Sequence, residues 1–110
     1  MNYRLTNRAS TACVMVGYPG VAILDASGGI VQHPAARRPD PSTPVRVVTL
    51  RPGSAAKFLL TSSDVVPSPG CQHAWKGKTL QVIPPNTRTA LRQPYRREFC
   101  NLRVGAVQPS

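Results

Sequence analysis

The residue types best suited to chemistry in this chain are its cysteines and histidines, which are common metal ligands. Cys71 and His73 are two positions apart, so an extended segment would direct both side chains to one side. The other candidate metal ligands are His33 and, more distantly, Asp25. Structural zinc sites normally combine two closely spaced pairs, and the sequence has no second pair. We therefore interpret Cys71 as a structural cysteine beside a loop histidine, and we predict no metal and no other cofactor.

The sequence offers equally little support for a group of residues that could act together in catalysis. A nucleophile needs a base and an orienting group close by, but the sequence has no G-x-S-x-G elbow, and a His–Asp pair could come only from loops. The four acids are scattered at Asp25, Asp40, Asp64 and Glu98. Two of them, Asp25 and Asp40, flank turns, where a short carboxylate ordinarily bonds the local backbone. We predict that the protein is not an enzyme, and a small hydrolase is the least favoured function.

Charge gives a stronger signal than any of these motifs. The chain has 14 lysines and arginines against 4 acids, a formal net charge of +10. Such a protein attracts polyanions, whether nucleic acid, lipid head groups or an acidic polymer. Aromatic residues make up only 5% of the chain, and it has no RNA- or DNA-binding signature. We therefore expect no specific nucleic-acid partner.

The basic residues of the C-terminal third are the candidate ligand-binding residues. They are Arg88, Arg92, Arg96 and Arg97, with Tyr95 and Phe99 interleaved. The even spacing of Arg88 and Arg92 predicts that they leave one face of a strand, with the other two in the adjoining loop. Several guanidinium groups together could hold phosphate or carboxylate groups. The alternative, which stays open, is a solvated rim of charge that protects an edge strand from aggregation.

The elements that must position these residues are short apolar runs separated by turn residues. Twelve prolines leave little room for helices. The predicted strands are residues 3–6, 13–16, 21–24, 30–32, 45–50, 55–61, 79–83, 89–92 and 101–107. The predicted long loops are residues 34–44 and 62–77. Nine strands at this spacing predict one all-β domain over residues 1–110, a two-sheet antiparallel sandwich.

Three turns are predicted from glycine and proline. The Pro19-Gly20 and Pro52-Gly53 steps suit a type II turn, in which proline presets φ and glycine accepts a positive φ. Residues 25–29 predict a tight hairpin.

Trp75 and Tyr18 are interpreted as structural residues that fill or cover the core rather than bind a ligand.

The ordered combination of these signals resembles an uncharacterised family of domains found in secreted proteins and lipoproteins of actinobacteria. The residues that carry the resemblance are Leu5-Thr6-Asn7, Cys13, Gly17-Tyr18-Pro19-Gly20-Val21, Asp25 to Gly28, Val48-Thr49-Leu50-Arg51-Pro52-Gly53, Cys71, Val82-Ile83-Pro84-Pro85 and Cys100. The resemblance implies an immunoglobulin-like sandwich and an extracytoplasmic location. It implies no activity.

In that family a signal sequence and a further strand precede the position of Met1. This chain begins without a recognisable signal peptide, so we expect the natural protein to start upstream and this chain to lack the first strand of the sandwich. Residues 3–7 would then form an exposed sheet edge at which a second copy can pair. With export into an oxidising compartment, we expect a disulfide between Cys71 and Cys100, which leaves Cys13 free.

Two functions follow as expectations. The first is a non-catalytic module of the cell envelope that binds an anionic polymer, a lipid or a protein partner. The second is a purely structural surface or spacer domain without a small-molecule ligand. Salt-sensitive binding to an anionic ligand would favour the first, because screening weakens charge-based binding.

Overall fold

The computed structural model describes residues 1–31, 34–62, 74–87 and 89–110. These residues form twelve β-strands. In chain order they are β1 Asn2–Thr6, β2 Cys13–Val16, β3 Gly20–Leu24, β4 Ala36–Arg37, β5 Val47–Leu50, β6 Ala55–Thr61, β7 Trp75–Lys76, β8 Thr79–Ile83, β9 Leu91–Pro94, β10 Glu98–Phe99, β11 Arg103–Val104 and β12 Gln108–Pro109. The described part of the chain contains no helix that is long and apolar enough to cross a membrane.

The strands are arranged in two main sheets and two smaller pairs. The larger sheet has the order β1-β6-β11-β4, and β12 also pairs with β6. The second sheet has the order β3-β8-β9, while β2 pairs with β5 and β7 with β10. All of these pairs are antiparallel except the short β4–β11 pair. The all-β sandwich predicted from the sequence is confirmed.

A single cluster of buried side chains joins the sheets. Strand β6 contributes Phe58 and Leu60, and strand β8 contributes Leu80 and Val82. Both strands alternate between inward and outward positions, as a strand with one buried face must. Phe58 and Leu80 are 1% and 0% exposed, so they lie at the centre of the sandwich.

Short apolar runs bounded by turn residues predicted some strand boundaries well. The strands predicted at residues 13–16, 55–61 and 79–83 have those bounds in the structure. The strand predicted at 101–107 is instead divided. Asn101 adopts a positive φ of 51°, and the backbone N–H groups of Gly105 and Val107 donate to the carbonyls of Leu59 and Gly17. Contacts with two different parts of the chain therefore break the run into β11 and β12.

Other predicted boundaries were wrong where long-range pairing decides the structure. Residues 34–44 contain β4, which pairs with β11, and residues 62–77 contain β7, which pairs with β10. Of the strand predicted at 30–32, the described residues 30 and 31 form one isolated bridge, between Ile30 and Leu24, and residue 32 lies outside the described residues. The preceding turn forms the predicted hairpin. Strand β10, Glu98–Phe99, lies between two predicted strands and was not predicted. The remaining shifts are of one or two residues at strand ends.

The two Pro-Gly steps behave differently. Gly53 has a φ of 84°, and the N–H of Ser54 donates to the carbonyl of Arg51 at 2.9 Å, as a type II turn requires. Gly20 instead begins β3 within the ladder, and the positive φ nearby, 106°, belongs to Gly17. The prediction of a type II turn was therefore right at Pro52-Gly53 and wrong at Pro19-Gly20.

This difference predicts unequal effects of adding a methyl group. Gly53→Ala should lower the free energy of unfolding by about 1–2 kcal/mol, because an L-residue is strained at positive φ. Gly20→Ala should cost less than half as much, since its new Cβ would meet Ile83 at an ordinary 3.7 Å. Urea denaturation of both variants measures the two values. Equal losses would contradict the assigned turn.

Candidate functional site

Arg92 lies on β9, the exposed edge strand of the three-stranded sheet. The register places it opposite Gln81 of β8, and its Nε and Nη2 donate to Gln81 Oε1 at 3.1 and 3.0 Å. These two bonds hold the guanidinium against the sheet surface. A guanidinium has five N–H donors, so three remain for a ligand.

Strand β9 begins later than predicted. It spans Leu91–Pro94 rather than residues 89–92. The strand starts later because Leu91 takes up the register with Val82, and residues 89 and 90 precede the ladder. Arg88 itself lies outside the described residues.

A basic residue from the opposite end of the sequence joins Arg92. Arg4 of β1 and Arg92 of β9 line one groove of about 90 Å³, whose walls include the core residues Phe58 and Leu80. Strands β1 and β9 belong to different sheets, so this groove lies where the two sheets meet. Sequence reasoning missed Arg4, because only the tertiary fold brings residues so distant in the chain together.

Arg96 and Arg97 follow β9 and are both exposed. Arg97 lines a larger cleft of about 360 Å³ together with Tyr3 and Tyr95. Arg96 lines neither of these two cavities. Tyr3 lines both the cleft and the groove, so Arg97 and Arg92 each share a cavity with the same aromatic residue. We call Arg92, Arg96 and Arg97 the arginine surface.

The two tyrosines of the larger cleft are held by other aromatic rings. Tyr3 stacks on Phe58 at a centroid distance of 5.6 Å, and Tyr95 meets Phe99 edge-on at 6.2 Å. Burial raises the pKa of both phenols, and the charge of Arg97 opposes that rise at both. The phenols therefore stay protonated at neutral pH, as hydrogen-bond donors beside a cation. We call this site the tyrosine cleft; its other lining residues include Leu60, Thr61, Ser62, Glu98 and Leu102.

The acids of the described chain do not neutralise the arginine surface. Asp25 Oδ1 accepts hydrogen bonds from Ser27 and Gly29, and Asp40 Oδ1 accepts from Ser42. These bonds, led by the Ser27 hydroxyl and the Ser42 N–H respectively, lower the pKa of both carboxyls. Their predicted role in local turns is confirmed.

Glu98, the nearest acid in sequence to the arginine surface, has another partner. It forms a 3.4 Å ion pair with Lys76 across the β7–β10 ladder. Within the described ranges this is the one ion pair between side chains, so Arg92, Arg96 and Arg97 keep their charge available for a ligand.

The cysteines and histidines give no metal centre in the part of the chain that can be assessed. No group of three or more His, Cys, Asp or Glu side chains among the described residues could hold a metal ion. Cys71, His73 and His33 lie outside those residues. Cys13 has a free thiol, and Cys100 is buried at 1% exposure.

Trp75 and Tyr18, which are predicted to be structural, both contact other side chains of the domain. Trp75 packs against the core cluster and lies opposite Phe99 in the β7–β10 ladder. The guanidinium of Arg37 lies 5.3 Å from the centre of the Tyr18 ring, a cation–π distance. Tyr18 is half-buried.

Comparison with known proteins gives a family and nothing finer. No curated protein and no solved structure matches the chain. One family model, described as a domain of unknown function (DUF4232), matches residues 1–108. That match covers almost the whole of the sandwich, including the strands that carry the arginine surface and the tyrosine cleft. The chain therefore belongs to the DUF4232 family of domains of unknown function.

Proposed function

We propose that this domain is a non-catalytic module that binds an anionic ligand through its arginine surface. The observation that carries the proposal is that Arg92 and Arg97 line two cavities that share Tyr3, and that neither forms an ion pair with an acid among the described residues. Arginine suits phosphate and carboxylate because its planar donors match two oxygens at once. Arg4 adds a further cation at the same groove.

The ligand we propose is an anionic polymer or lipid surface of the cell envelope. The resemblance to secreted actinobacterial proteins supports an extracytoplasmic location, where such polyanions are the available partners. A disulfide between Cys71 and Cys100 would agree with that location, because disulfides persist in oxidising compartments. A protein partner with an acidic surface would use the same arginines.

Self-association is a separate proposal and rests on β1. Among the described strands β1 pairs only with β6, so its other edge presents unpaired backbone groups. A second copy could pair there, although the net charge of +10 opposes close approach of two copies.

A structural spacer domain is the second candidate, and one set of observations favours it. Residues that carry the family resemblance have clear folding roles: Asn7 is buried and hydrogen-bonded, Gly17 and Gly53 adopt positive φ, and Cys13 lies in the β2–β5 ladder. None of these four residues belongs to the arginine surface. A shared signature of this kind specifies a scaffold.

Reversing the charge of two arginines distinguishes an anion-binding module from a structural spacer domain. The double variant Arg92→Glu/Arg96→Glu should lose retention on anionic vesicles at low salt, because attraction becomes repulsion. Its melting temperature should change little, since exposed substitutions usually alter stability by no more than about 0.5 kcal/mol. Co-sedimentation with vesicles of anionic lipid, and with a phosphodiester polymer on beads, measures retention.

The matched control is Arg8→Glu/Arg46→Glu, which changes the net charge equally at two exposed sites outside the arginine surface. It should retain more than half of the parental binding. If both double variants lose binding equally, net charge alone drives retention and the arginine surface is not a site.

A further inference from the structure

The tyrosine cleft differs from the rest of the arginine surface because it is concave and combines neutral donors with a cation. Its volume of about 360 Å³ lies at the lower end of the range for small-molecule sites, which is about 300–1,000 Å³. A polyanion bound only by surface charge needs no such cleft. The cleft is large enough to receive one ring-sized unit of a ligand.

The chemistry of its walls indicates what that unit carries. Neither phenol hydroxyl, of Tyr3 or Tyr95, has a hydrogen-bond partner among the described residues, and both belong to residues that line the cleft with Arg97. Two protonated phenols and a guanidinium offer donors that converge on anionic oxygens. A phenol with its ordinary pKa of about 10 is protonated at neutral pH, and burial raises the pKa of both further, so these donors persist.

The cleft also contains hydrogen-bond acceptors, which a ligand with hydroxyl groups needs. Thr61 and Glu98 lie in its wall, and a hydroxyl or carboxylate oxygen accepts hydrogen bonds from ligand hydroxyl groups. Glu98 Oε1 pairs with Lys76, so its other carboxylate oxygen is the acceptor that remains. Ser62 is already engaged, because its hydroxyl donates to the carbonyl of Cys100 and accepts from the Cys100 N–H. A plain inorganic anion would use the donors and leave these acceptors unused.

We propose that the tyrosine cleft binds one anionic sugar unit, with its carboxylate or phosphate on Tyr3, Tyr95 and Arg97 and its hydroxyl groups toward Thr61 and Glu98. This inference rests on the proposed anionic ligand and names its class. A polymer would then place one acidic sugar in the cleft while neighbouring units contact Arg92 and Arg96.

Titration of the protein with D-glucuronate and with glucose 6-phosphate, followed by amide NMR shifts, tests the inference. Glucose and inorganic phosphate are the comparison ligands. We expect the two acidic sugars to bind at least about tenfold more tightly than glucose or phosphate, with shifts at Tyr3, Tyr95 and Arg97, since charged hydrogen bonds are the strong ones. Of the two acidic sugars, the tighter one identifies carboxylate or phosphate as the preferred group.

Variants show whether the cleft is responsible. Tyr95→Phe and Tyr3→Phe remove one hydroxyl and keep the ring, and each should weaken acidic-sugar binding about tenfold, as loss of a hydrogen bond to a charged group does. Tyr18→Phe, at a ring outside the cleft, should leave the affinity unchanged. Arg92→Glu/Arg96→Glu should keep part of its acidic-sugar binding even where it loses the polymer.

The experiment distinguishes failure of the acidic-sugar assignment from failure of the proposed function. If the parent protein binds the anionic polymer but the acidic sugars bind no better than glucose, the inference is wrong and the proposed function stands. Equal binding of inorganic phosphate would show a simple anion site and overturn the sugar assignment. If neither polymer nor acidic sugar binds, both are wrong.

Discussion

Replacing Asn7 with alanine should lower the free energy of unfolding by about 3 kcal/mol or more. Asn7 is 6% exposed, and its Nδ2 donates to the carbonyls of Leu50 and Thr11 at 2.9 and 3.0 Å. Its Oδ1 accepts from the N–H of Ala9 at 2.9 Å. Alanine removes three hydrogen bonds at once, and each buried group left without a partner costs about 1–3 kcal/mol.

Two further substitutions separate hydrogen bonding from packing. Asn7→Asp keeps the shape but directs a carboxylate at two carbonyl oxygens, so it should destabilise the fold at least as much as alanine does. Asn2→Ala, at an exposed position of β1, which ends just before Asn7, should change the free energy by no more than about 0.5 kcal/mol. Urea denaturation at neutral pH measures all three. An Asn7→Asp variant as stable as the parent would contradict the hydrogen-bonding role.

Loss of a Cys71–Cys100 disulfide should cost roughly 3–4 kcal/mol, the value that the chain-entropy model gives for a loop of this length. Cys71 lies outside the described residues, but the surrounding register favours the pairing. Trp75 lies opposite Phe99, so one more step in that register would bring Cys100 opposite Ala74, three residues from Cys71. Ser62, just before the undescribed segment, also bonds the backbone of Cys100.

Non-reducing peptide mapping identifies the pair, and denaturation with and without reductant measures its contribution. Cys13→Ser should leave both results unchanged, because Cys13 has a free thiol. A peptide that joins Cys13 to Cys71 or to Cys100 would show that the predicted pair is wrong. Equal stability with and without reductant would contradict the predicted contribution of the disulfide to the free energy of unfolding.

Local sequence signals predicted the parts of the fold that local chemistry determines. Apolar runs bounded by turn residues gave the bounds of β6 and β8, and the Asp25 hairpin and the Pro52-Gly53 turn formed as expected. Pro19-Gly20 was misread because long-range pairing with β8 holds Gly20 in an extended strand. Strands β4 and β7 were missed for the same reason, since each has only two residues and forms through a distant partner.

The candidate site could be predicted only in part. The run from Arg92 to Arg97 is visible as a local concentration of charge, and its three arginines are exposed. The contributions of Tyr3 and Arg4 could not be predicted, because they depend on β1 lying beside the 91–97 segment in the folded sandwich. No pattern within either segment marks the other as its neighbour.

The most direct test of anion binding is the affinity of the unmodified protein for a glycerol-phosphate polymer as a function of salt. NaCl would be raised from about 10 mM to about 1 M, over which the Debye length falls from about 30 Å to about 3 Å. We predict binding at the lowest salt that weakens progressively over this range, with no binding to neutral dextran. Absence of binding at the lowest salt, or an affinity independent of salt, would contradict the account and favour a structural spacer.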